Sequence, residues 1–272
     1  MIYGNIEGVP DFECSEYGEK SSDYCLLIPV LNESGRIEPQ LQRARERGVD
    51  SYCDIIILDG GSTDGGVREE KLKELGVNAL LVKLGEGRQG AQLRMGFHYA
   101  IARGYSGFVT VDGNNKDSVE SVRDFIEKLK EGYDFVQGSR YIPGGAAENT
   151  PVLRHLAVRL LHAPLISKAA SFKFTDTTNA FRGYSKRYLV HPGVQIFRDV
   201  FSGYELLAYL SVRATQLGLK ATEIPVERRY PKKGKTPTKI SGVKGSAQLL
   251  KILIRAVRGE YNPKEWERDG EV

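Results

Sequence analysis

Short apolar runs alternate with amphipathic stretches through the first half of the chain, and this alternation most constrains the fold. The apolar runs predict strands at 24–31, 53–58, 79–84, 107–112 and 134–138. The stretches between them predict helices over 36–48, 67–76, 90–103 and 117–132, several of them ending at glycine. Asp117 or Ser118 is the expected N-cap of the last of these helices. Such alternation is typical of βαβ units, so the sequence predicts an α/β fold with a mainly parallel sheet between helices.

The second half is less regular. It predicts a loop at 139–145, an apolar and basic stretch at 152–174, a helix near 203–217, a strand at 219–226 and a last helix near 243–258. We therefore expect one domain over 24–240, with a nucleotide-binding half to 138 and an acceptor half from 139. An N-terminal extension, 1–23, precedes this domain, and a basic amphipathic helix and tail, 241–272, follow it.

Composition restricts the class of protein. A chain of 272 residues with 40% hydrophobic content can bury a substantial core. Cys14, Cys25 and Cys53 have spacings that suit neither a zinc site nor a disulfide framework, which favours a reducing cytoplasm. The first 23 residues lack the pattern of a signal peptide, and no run of eighteen apolar residues occurs, so we expect no membrane span.

Two of the predicted strands end on an aspartate. Asp59 follows the apolar run 55–58, and Asp112 follows 109–111. In open α/β sheets, ligands bind beyond the carboxyl ends of the strands. The two carboxylates are therefore candidates to hold a phosphate-bearing substrate and its cation. The alternative for Asp112 is that it only caps the following helix.

Glycine-rich segments accompany these strand ends. In the turn 59–66, glycines such as Gly61 allow close approach of a ligand, and Asp59 can accept hydrogen bonds from a base or ribose. Segment 85–94 places glycines, Gln89 and the two arginines Arg88 and Arg94 at the start of a helix, where backbone N–H groups and guanidinium favour phosphate. Pro29 ends the first predicted strand before Asn32 and Glu33, which are either a ligand-facing edge or an ordinary turn.

Taken in order, these segments resemble glycosyltransferase family 2, whose members carry the GT-A fold. The resemblance extends from about residue 24 to about 245. Its motifs are the Pro-x-x-Asn-Glu strand end at 29–33, the Asp-Gly-Gly-Ser-Thr-Asp-Gly turn at 59–65, the glycine-rich helix start from 85, the Asp-x-Asn strand end at 112–114 and Gly-Ser-Arg-Tyr at 138–141. Segments 176–184 and 203–205 resemble later motifs of the dolichol-phosphate mannose synthases and related polyprenyl-phosphate glycosyltransferases.

The resemblance implies inverting transfer of a sugar from a nucleotide-diphosphate sugar to a polyprenyl phosphate or related lipid-linked acceptor. The basic segment 228–239 resembles the loop that closes over the donor in these enzymes. Together with the motifs above, it implies these nucleotide-sugar ligands: Pro29, Asn32, Glu33, Asp59, Gly61, Arg88, Gln89, Asp112, Gly113, Arg229 and Lys239.

A divalent cation, Mg²⁺ or Mn²⁺, is implied as the cofactor, with Asp112 and Asn114 as its ligands. Asn114 stands where the family usually has a second aspartate, and Lys116 where the mannose synthases tend to have glutamine. An amide oxygen can coordinate either ion but brings no negative charge, so we expect weaker binding of the cation.

Arg140, Asp176 and Glu205 are the candidate catalytic residues. Arg140 would face the diphosphate or the acceptor phosphate, or else lie on the surface. A hydroxyl acceptor needs a carboxylate base, whereas a phosphate acceptor is already an anion and needs cations to position it. Asp176 is either that base, an acceptor-orienting residue or a partner of loop N–H groups. Glu205 either takes part in chemistry or favours the N-terminus of a helix.

Two further functions remain open from the sequence. The same fold could transfer sugar to a hydroxyl of a saccharide or other acceptor, or bind a nucleotide sugar without catalysis. Nucleic acid is not an expected partner, because no binding fold is evident and aromatic residues are sparse among the basic ones.

The second half is strongly basic in two places. No acidic residue occurs between 149 and 175, and residues 228–258 contain ten lysines and arginines without an acid. In the last predicted helix a polar stripe comprises Lys244, Gln248, Lys251, Arg255 and Arg258. Such a helix either lies on an anionic membrane surface or packs as an ordinary amphipathic helix. With a lipid acceptor implied, we expect a cytoplasmic protein, peripheral on the inner face of the membrane. No pattern indicates an oligomeric state.

Overall fold

The structure is a computed structural model that describes residues 1–231 and 242–264. Its strands are β1 Ile2–Tyr3, β2 Phe12–Glu16, β3 Tyr24–Val30, β4 Asp54–Asp59, β5 Val77–Lys83, β6 Gly107–Thr110, β7 Phe135–Ser139, β8 Ala146–Glu148, β9 Arg182–Ser185, β10 Ala221–Pro225 and β11 Glu227–Arg229. Its α-helices are α1 Ile37–Glu46, α2 Glu69–Glu74, α3 Gln89–Ala102, α4 Val122–Lys130, α5 Val152–Ala157, α6 Ala163–Ala170, α7 Lys186–Leu189, α8 Glu205–Gln216 and α9 Gly242–Val257. A π-helical turn, Val158–His162, joins α5 to α6.

Nine strands form one sheet in the order β1-β2-β5-β4-β3-β6-β9-β7-β10. Strands β3 to β7 and β10 run in one direction, and β9 lies antiparallel between β6 and β7. Strands β8 and β11 pair in a separate parallel ribbon. The predicted mainly parallel α/β architecture is therefore confirmed.

Helices cover both faces of this sheet. Strand β3 turns Cys25 and Leu27 towards α3, α6, α8 and α9, and turns Leu26 and Ile28 towards α1, α2 and α4. All four side chains are fully buried. Burial of one such aliphatic side chain contributes about 1.5–3 kcal/mol. The central strands read as continuous apolar runs because neither face meets water.

Three strands of the sheet, β1, β2 and β9, were not predicted. Strand β2 lies in the first 23 residues and pairs antiparallel with β5. It buries only Phe12 and Cys14, alternating with acidic or polar residues, so the apolar signal is weak. Strand β9 falls inside a motif that the sequence associated with the acceptor, and it places Arg182 in the interior.

The start of helix α4 also differs from the prediction. A 3₁₀ turn at Val119–Ser121 precedes the helix, which begins at Val122. Neither Asp117 nor Ser118 caps it as expected. The carboxylate of Asp117 instead accepts a hydrogen bond from Arg228.

Candidate active site

Asp59 and Asp112 lie on either side of strand β3 at the carboxyl edge of the sheet. Val30 pairs with Asp59 on one side, and the N–H of Gly113 donates to the carbonyl of Pro29 at 3.3 Å on the other. Strand β3 lies between β4 and the segment that carries Asp112. The backbones of the two aspartates are therefore two strand spacings apart, about 10 Å. A Cβ atom on Gly113 would lie 2.4 Å from Cγ1 of Val30, so glycine at this position lets the segment after β6 pass close to β3.

The loops after β3 and β4 are joined by hydrogen bonds. Asp59 Oδ1 accepts from the N–H of Ser62 at 3.0 Å and from its hydroxyl at 2.6 Å. The N–H of Asn32 donates to Ser62 Oγ at 2.9 Å, and Asn32 Oδ1 accepts from the N–H of Thr63 at 2.8 Å. Gly61 has a φ of +90°, a conformation that side chains disfavour. Asn32 and Asp59 therefore hold this edge in shape.

Helix α3 supports the same edge through a residue that the sequence did not single out. Nε2 of Gln92 donates to the carbonyls of Val30 and Leu58, both at 2.8 Å. Glu33 forms an ion pair with Arg36. The sequence carries no signal for this role, since Gln89, Arg94 and His98 are further polar residues of the same helix.

The N-terminus of α3 differs from the expectation for a phosphate site. The N–H groups of Arg88 and Gly90 donate to the carbonyls of Ser202 and Gly203, both at 2.7 Å. The N–H of Ala91 also faces the carbonyl of Ser202, at 3.4 Å. In this conformation these three N–H groups are bonded within the chain, and phosphate binding at the start of α3 stays a prediction. The side chain of Arg88 is exposed and remains a predicted ligand.

The Asp112 carboxylate accepts hydrogen bonds from three side chains. Gln89 Nε2 donates to Oδ1 at 3.0 Å, whereas Asn114 Nδ2 and Arg228 Nη2 donate to Oδ2 at 3.3 Å and 3.1 Å. The Asp112 side chain is 24% exposed. Gln89 and Arg228 come from segments far from Asp112 in sequence, and Asp112 does not cap α4, which begins at Val122.

Arg228 connects Asp112 to a second carboxylate. Its Nη1 donates to Asp117, whose side chain is 1% exposed. Burial raises the pKa of Asp117 although Arg228 acts in the opposite direction. Lys116 is also buried, with Nζ 5.2 Å from the ring centre of Tyr230. Burial and the neighbouring Arg228 lower the pKa of Lys116.

The side-chain oxygen atoms of Asp112 and Asn114 suit a divalent cation that is also bound by a substrate. Oδ1 of Asn114 is buried and has no hydrogen-bond partner among the described residues, although it lies beside the Asp112 carboxylate. Mg²⁺ is commonly bound by one or two carboxylates together with substrate phosphates and water. Residues 1–231 and 242–264 hold no cluster of three acidic, histidine or cysteine side chains for a metal.

Asp176 and Arg140 form a buried ion pair in the acceptor half. Nε and Nη2 of Arg140 donate to the two carboxylate oxygens at 2.6 Å and 2.9 Å. The N–H of Thr178 donates to Asp176 at 3.3 Å. Burial acts to raise the pKa of Asp176, but Arg140 outweighs it and the net pKa is lowered. Arg140 is thus not a surface arginine, and this geometry favours a positioning role for Asp176 over that of a base.

A buried polar network surrounds this pair. The carboxylate of Glu223 accepts from the N–H groups of Thr175 and Asp176 at 2.9 Å and 3.1 Å, and burial raises the pKa of Glu223. Nδ1 of His162 lies 2.6 Å from Oγ1 of Thr177. Burial, with a smaller effect of Arg182, lowers the pKa of His162 to about 4. The sequence offered only isolated polar residues here.

The remaining predicted residues lie in three different settings. Glu205 is the first residue of α8 and accepts from the N–H of Gly203 at 2.6 Å, which matches the alternative of a helix-terminal role. Arg229 is 62% exposed and pairs with Glu148 and Glu227. Lys239 lies outside the described residues.

Neighbouring arginines of β11 therefore separate to opposite sides of the strand. Arg228, which the sequence did not select, reaches Asp112, whereas Arg229 faces solvent. Alternation along a strand predicts such a separation but not which of the two faces the site.

The acceptor half presents apolar side chains to solvent on the helical segment 152–161. Those exposed are Val152, Leu153, Leu156, Leu160 and Leu161. Helix α9 buries Ile252 and Leu253 against the domain and exposes Leu250 and Ile254. Among the helices of the described ranges, none combines the length and apolarity needed to cross a bilayer.

Solved structures similar to this chain include glucosyl-3-phosphoglycerate synthase from Mycobacterium tuberculosis. Its complex with Mn²⁺, UDP and phosphoglyceric acid has a TM-score of 0.61 at 16% identity, over 86% of this chain and 78% of that chain. Another structure of the synthase contains Mg²⁺ and UDP, with a TM-score of 0.62 at 16% identity over 86% of this chain and 79% of that chain. At this identity the likeness establishes the GT-A fold.

Curated relatives are similar over most of the chain. Polyprenol monophosphomannose synthase of Mycolicibacterium smegmatis is 24% identical over 240 residues, 87% of this chain and 88% of that protein. Undecaprenyl-phosphate mannosyltransferase of Micrococcus luteus is 26% identical over 211 residues, 74% of this chain and 81% of that protein. The model of the family described as glycosyl transferase family 2 matches residues 25–202. The chain therefore belongs to glycosyl transferase family 2, as its motifs predicted.

Proposed function

We propose that this protein is an inverting glycosyltransferase that moves a sugar from a nucleotide-diphosphate sugar to a polyprenyl phosphate. The observation that carries this proposal is the similarity to enzymes named for polyprenol-phosphate and undecaprenyl-phosphate mannosyl transfer, the first over 87% of this chain. The basic side chains beside Asp112, which are Lys116 and Arg228, support it independently.

The reaction is a displacement at the anomeric carbon. An oxygen of the acceptor phosphate forms the new bond, the bond to the donor diphosphate breaks, and a nucleoside diphosphate leaves. A divalent cation, when bound, supplies charge that stabilises this leaving group. Asp112 and Asn114 would hold that cation, while Asn32, Glu33 and Asp59 border the nucleotide.

Basic side chains support a phosphate acceptor. Lys116, Arg154 and Arg228 surround the ring of Tyr230 with their cationic groups 5.2, 5.8 and 5.7 Å from its centre. Arg154 also donates to the Tyr230 hydroxyl at 3.0 Å. A hydroxyl acceptor would require a free base, but Asp176 is held by Arg140. An anionic acceptor needs no base and benefits from these cations.

The exposed apolar residues of 152–161 support contact with a membrane that carries the lipid acceptor. Leucines that face solvent alternate there with Arg154 and Arg159. Helix α9 adds Leu250 and Ile254 beside Lys251. Each basic residue near an anionic surface contributes roughly 1 kcal/mol. We propose a peripheral position at the cytoplasmic face, with both helical segments towards lipid.

The test is a transfer assay with radiolabelled nucleotide sugars, polyprenyl phosphate in vesicles and Mn²⁺. A thermal-shift screen of UDP, GDP, TDP and CDP sugars, with and without Mn²⁺, first selects the donor, because a ligand of the native state raises its stability. We expect label in the lipid extract, none when polyprenol replaces its phosphate, and labelling slower by about a hundredfold or more with Asp112→Asn.

Each competing function has its own outcome in this assay. Label in polyprenol or in an added saccharide, without need for lipid phosphate, would favour a hydroxyl acceptor. Donor binding without transfer or hydrolysis over long incubation would favour a non-catalytic binding protein.

A further inference from the structure

The Asp112 carboxylate accepts hydrogen bonds from three side chains, and one of them, Arg228, is cationic. Arg228 Nη2 lies 3.1 Å from Oδ2, beside the amide of Asn114, while Gln89 occupies Oδ1. A divalent cation needs these same oxygens. Arg228 and the cation therefore compete for one carboxylate.

We propose that Arg228 is the resident counter-ion of Asp112 and must release it before a divalent cation binds, so that cation and nucleotide bind together. This inference rests on the proposed function, since it concerns the cation that the donor diphosphate would share.

Arg228 has two carboxylate partners that differ in burial. Asp117 is 1% exposed and bonds to Nη1, whereas Asp112 is 24% exposed and bonds to Nη2. Loss of the buried partner would leave an uncompensated charge away from water, which is strongly unfavourable. Asp117 therefore retains the guanidinium, and Asp112 is the partner that can be exchanged.

The backbone around Arg228 is fixed to the loop that follows Asp112. The N–H of Arg229 donates to the carbonyl of Lys116 at 2.8 Å, and the N–H of Ser118 donates to the carbonyl of Glu227 at 3.0 Å. The exchange is consequently a movement of the side chain, which turns Nη2 from Asp112 towards an oxygen of the incoming diphosphate.

Charge balance explains why the cation would not bind alone. Arg228 and Lys116 are buried cations beside Asp112 and Asp117, whose negative charges they offset. A lone dication would leave this cluster with excess positive charge. A nucleoside diphosphate brings the compensating negative charge, so each ligand should raise the affinity for the other.

The test measures binding of Mn²⁺ alone by electron paramagnetic resonance, without nucleotide or acceptor. The double variant Asp117→Asn/Arg228→Gln removes the competitor without leaving Asp117 unpaired. We expect it to bind Mn²⁺ about tenfold or more tightly than the native chain, which is the value of one charge-assisted hydrogen bond. Asp117→Asn alone leaves Arg228 with Asp112 only, and should weaken Mn²⁺ binding.

Lys130→Gln is the control, because it removes one positive charge from the exposed face of α4, outside the cluster. Its affinity for Mn²⁺ should equal that of the native chain. Either of two results would overturn the inference. One is an equal affinity for Mn²⁺ in the double variant and the native chain. The other is an affinity of the native chain for Mn²⁺ that neither UDP nor GDP changes. The Mn²⁺ measurements contain no acceptor, so they test the exchange at Asp112 separately from sugar transfer. A negative transfer assay would overturn only the proposed function.

Discussion

Asp112 in the nucleotide half and Asp176 in the acceptor half are both aspartates that hydrogen-bond to arginine. Asp112 is partly exposed and shares Arg228 with Asp117, whereas Asp176 is buried and holds Arg140 through both carboxylate oxygens. The first arrangement can exchange partners at modest cost. The second cannot, because separation would leave two buried charges unpaired.

This difference in burial and pairing separates the expected roles of the two aspartates. A carboxylate that must meet a transient ligand needs access to solvent and a replaceable partner. A carboxylate that fixes a loop needs burial and hydrogen bonds in good geometry. By this criterion we propose that Asp112 binds the ligand and that Asp176 fixes the loop at 175–178.

The largest expected effect is on stability at Asp176. Asp176→Asn leaves the Arg140 guanidinium buried without its carboxylate, which should lower the free energy of unfolding by about 3–5 kcal/mol. Urea denaturation measures this loss, with exposed Asp124→Asn as the control. Arg140→Met/Asp176→Leu should recover part of it. Native stability with loss of transfer in Asp176→Asn would instead identify a base.

Asp112 should show the opposite behaviour. Asp112→Asn removes the charge that holds the cation, so kcat should fall about 10²- to 10³-fold, as for loss of a transition-state stabilising group. The urea midpoint should stay close to native because the side chain is partly exposed. A fall in stability as large as that of Asp176→Asn would remove the distinction between the two aspartates.

The outer surfaces of the two halves should differ in a smaller effect, which is lipid binding. Leu153 and Leu160 of the acceptor half are 83% and 73% exposed. Leu153→Ser/Leu160→Ser should weaken sedimentation with anionic vesicles about thirtyfold, since the two leucines together forfeit ~2 kcal/mol of apolar transfer. The control is Leu84→Ser, at an exposed leucine of the nucleotide half. Equal losses in both variants would contradict a lipid-facing acceptor half.

The smallest effect concerns the pH dependence of the acceptor half. Burial lowers the pKa of His162 to about 4 from its ordinary value of 6.5, so the unfolded chain binds the proton first as pH falls. This residue therefore destabilises the fold progressively between about pH 6.5 and pH 4. Urea denaturation at pH 7 and pH 5 should show a smaller loss in His162→Gln than in the native chain. The same loss in both would assign the pH dependence to other groups.

The nucleotide half was the more predictable of the two because its signals are local. The apolar runs ending at Val30 and Asp59 gave the central strands, and the glycine-rich turns gave the loops that join them. The acceptor half depends on contacts between distant segments. Arg140 and Asp176 are 36 positions apart, and Arg228 and Asp117 are 111 apart. No pattern of spacing connects such pairs.

The amino-acid sequence by itself determined the α/β class, the strand ends that carry Asp59 and Asp112, and the family. These follow from hydrophobic periodicity and from short motifs whose backbone geometry is set by neighbouring residues. Only the tertiary structure decided that Arg228 rather than Arg229 reaches Asp112, that Asp176 is held by Arg140, and that Ser202 and Gly203 occupy the start of α3. The reason is that burial and ion pairing depend on which segments meet in space, and strand β11 meets the Asp112 loop only in the folded chain.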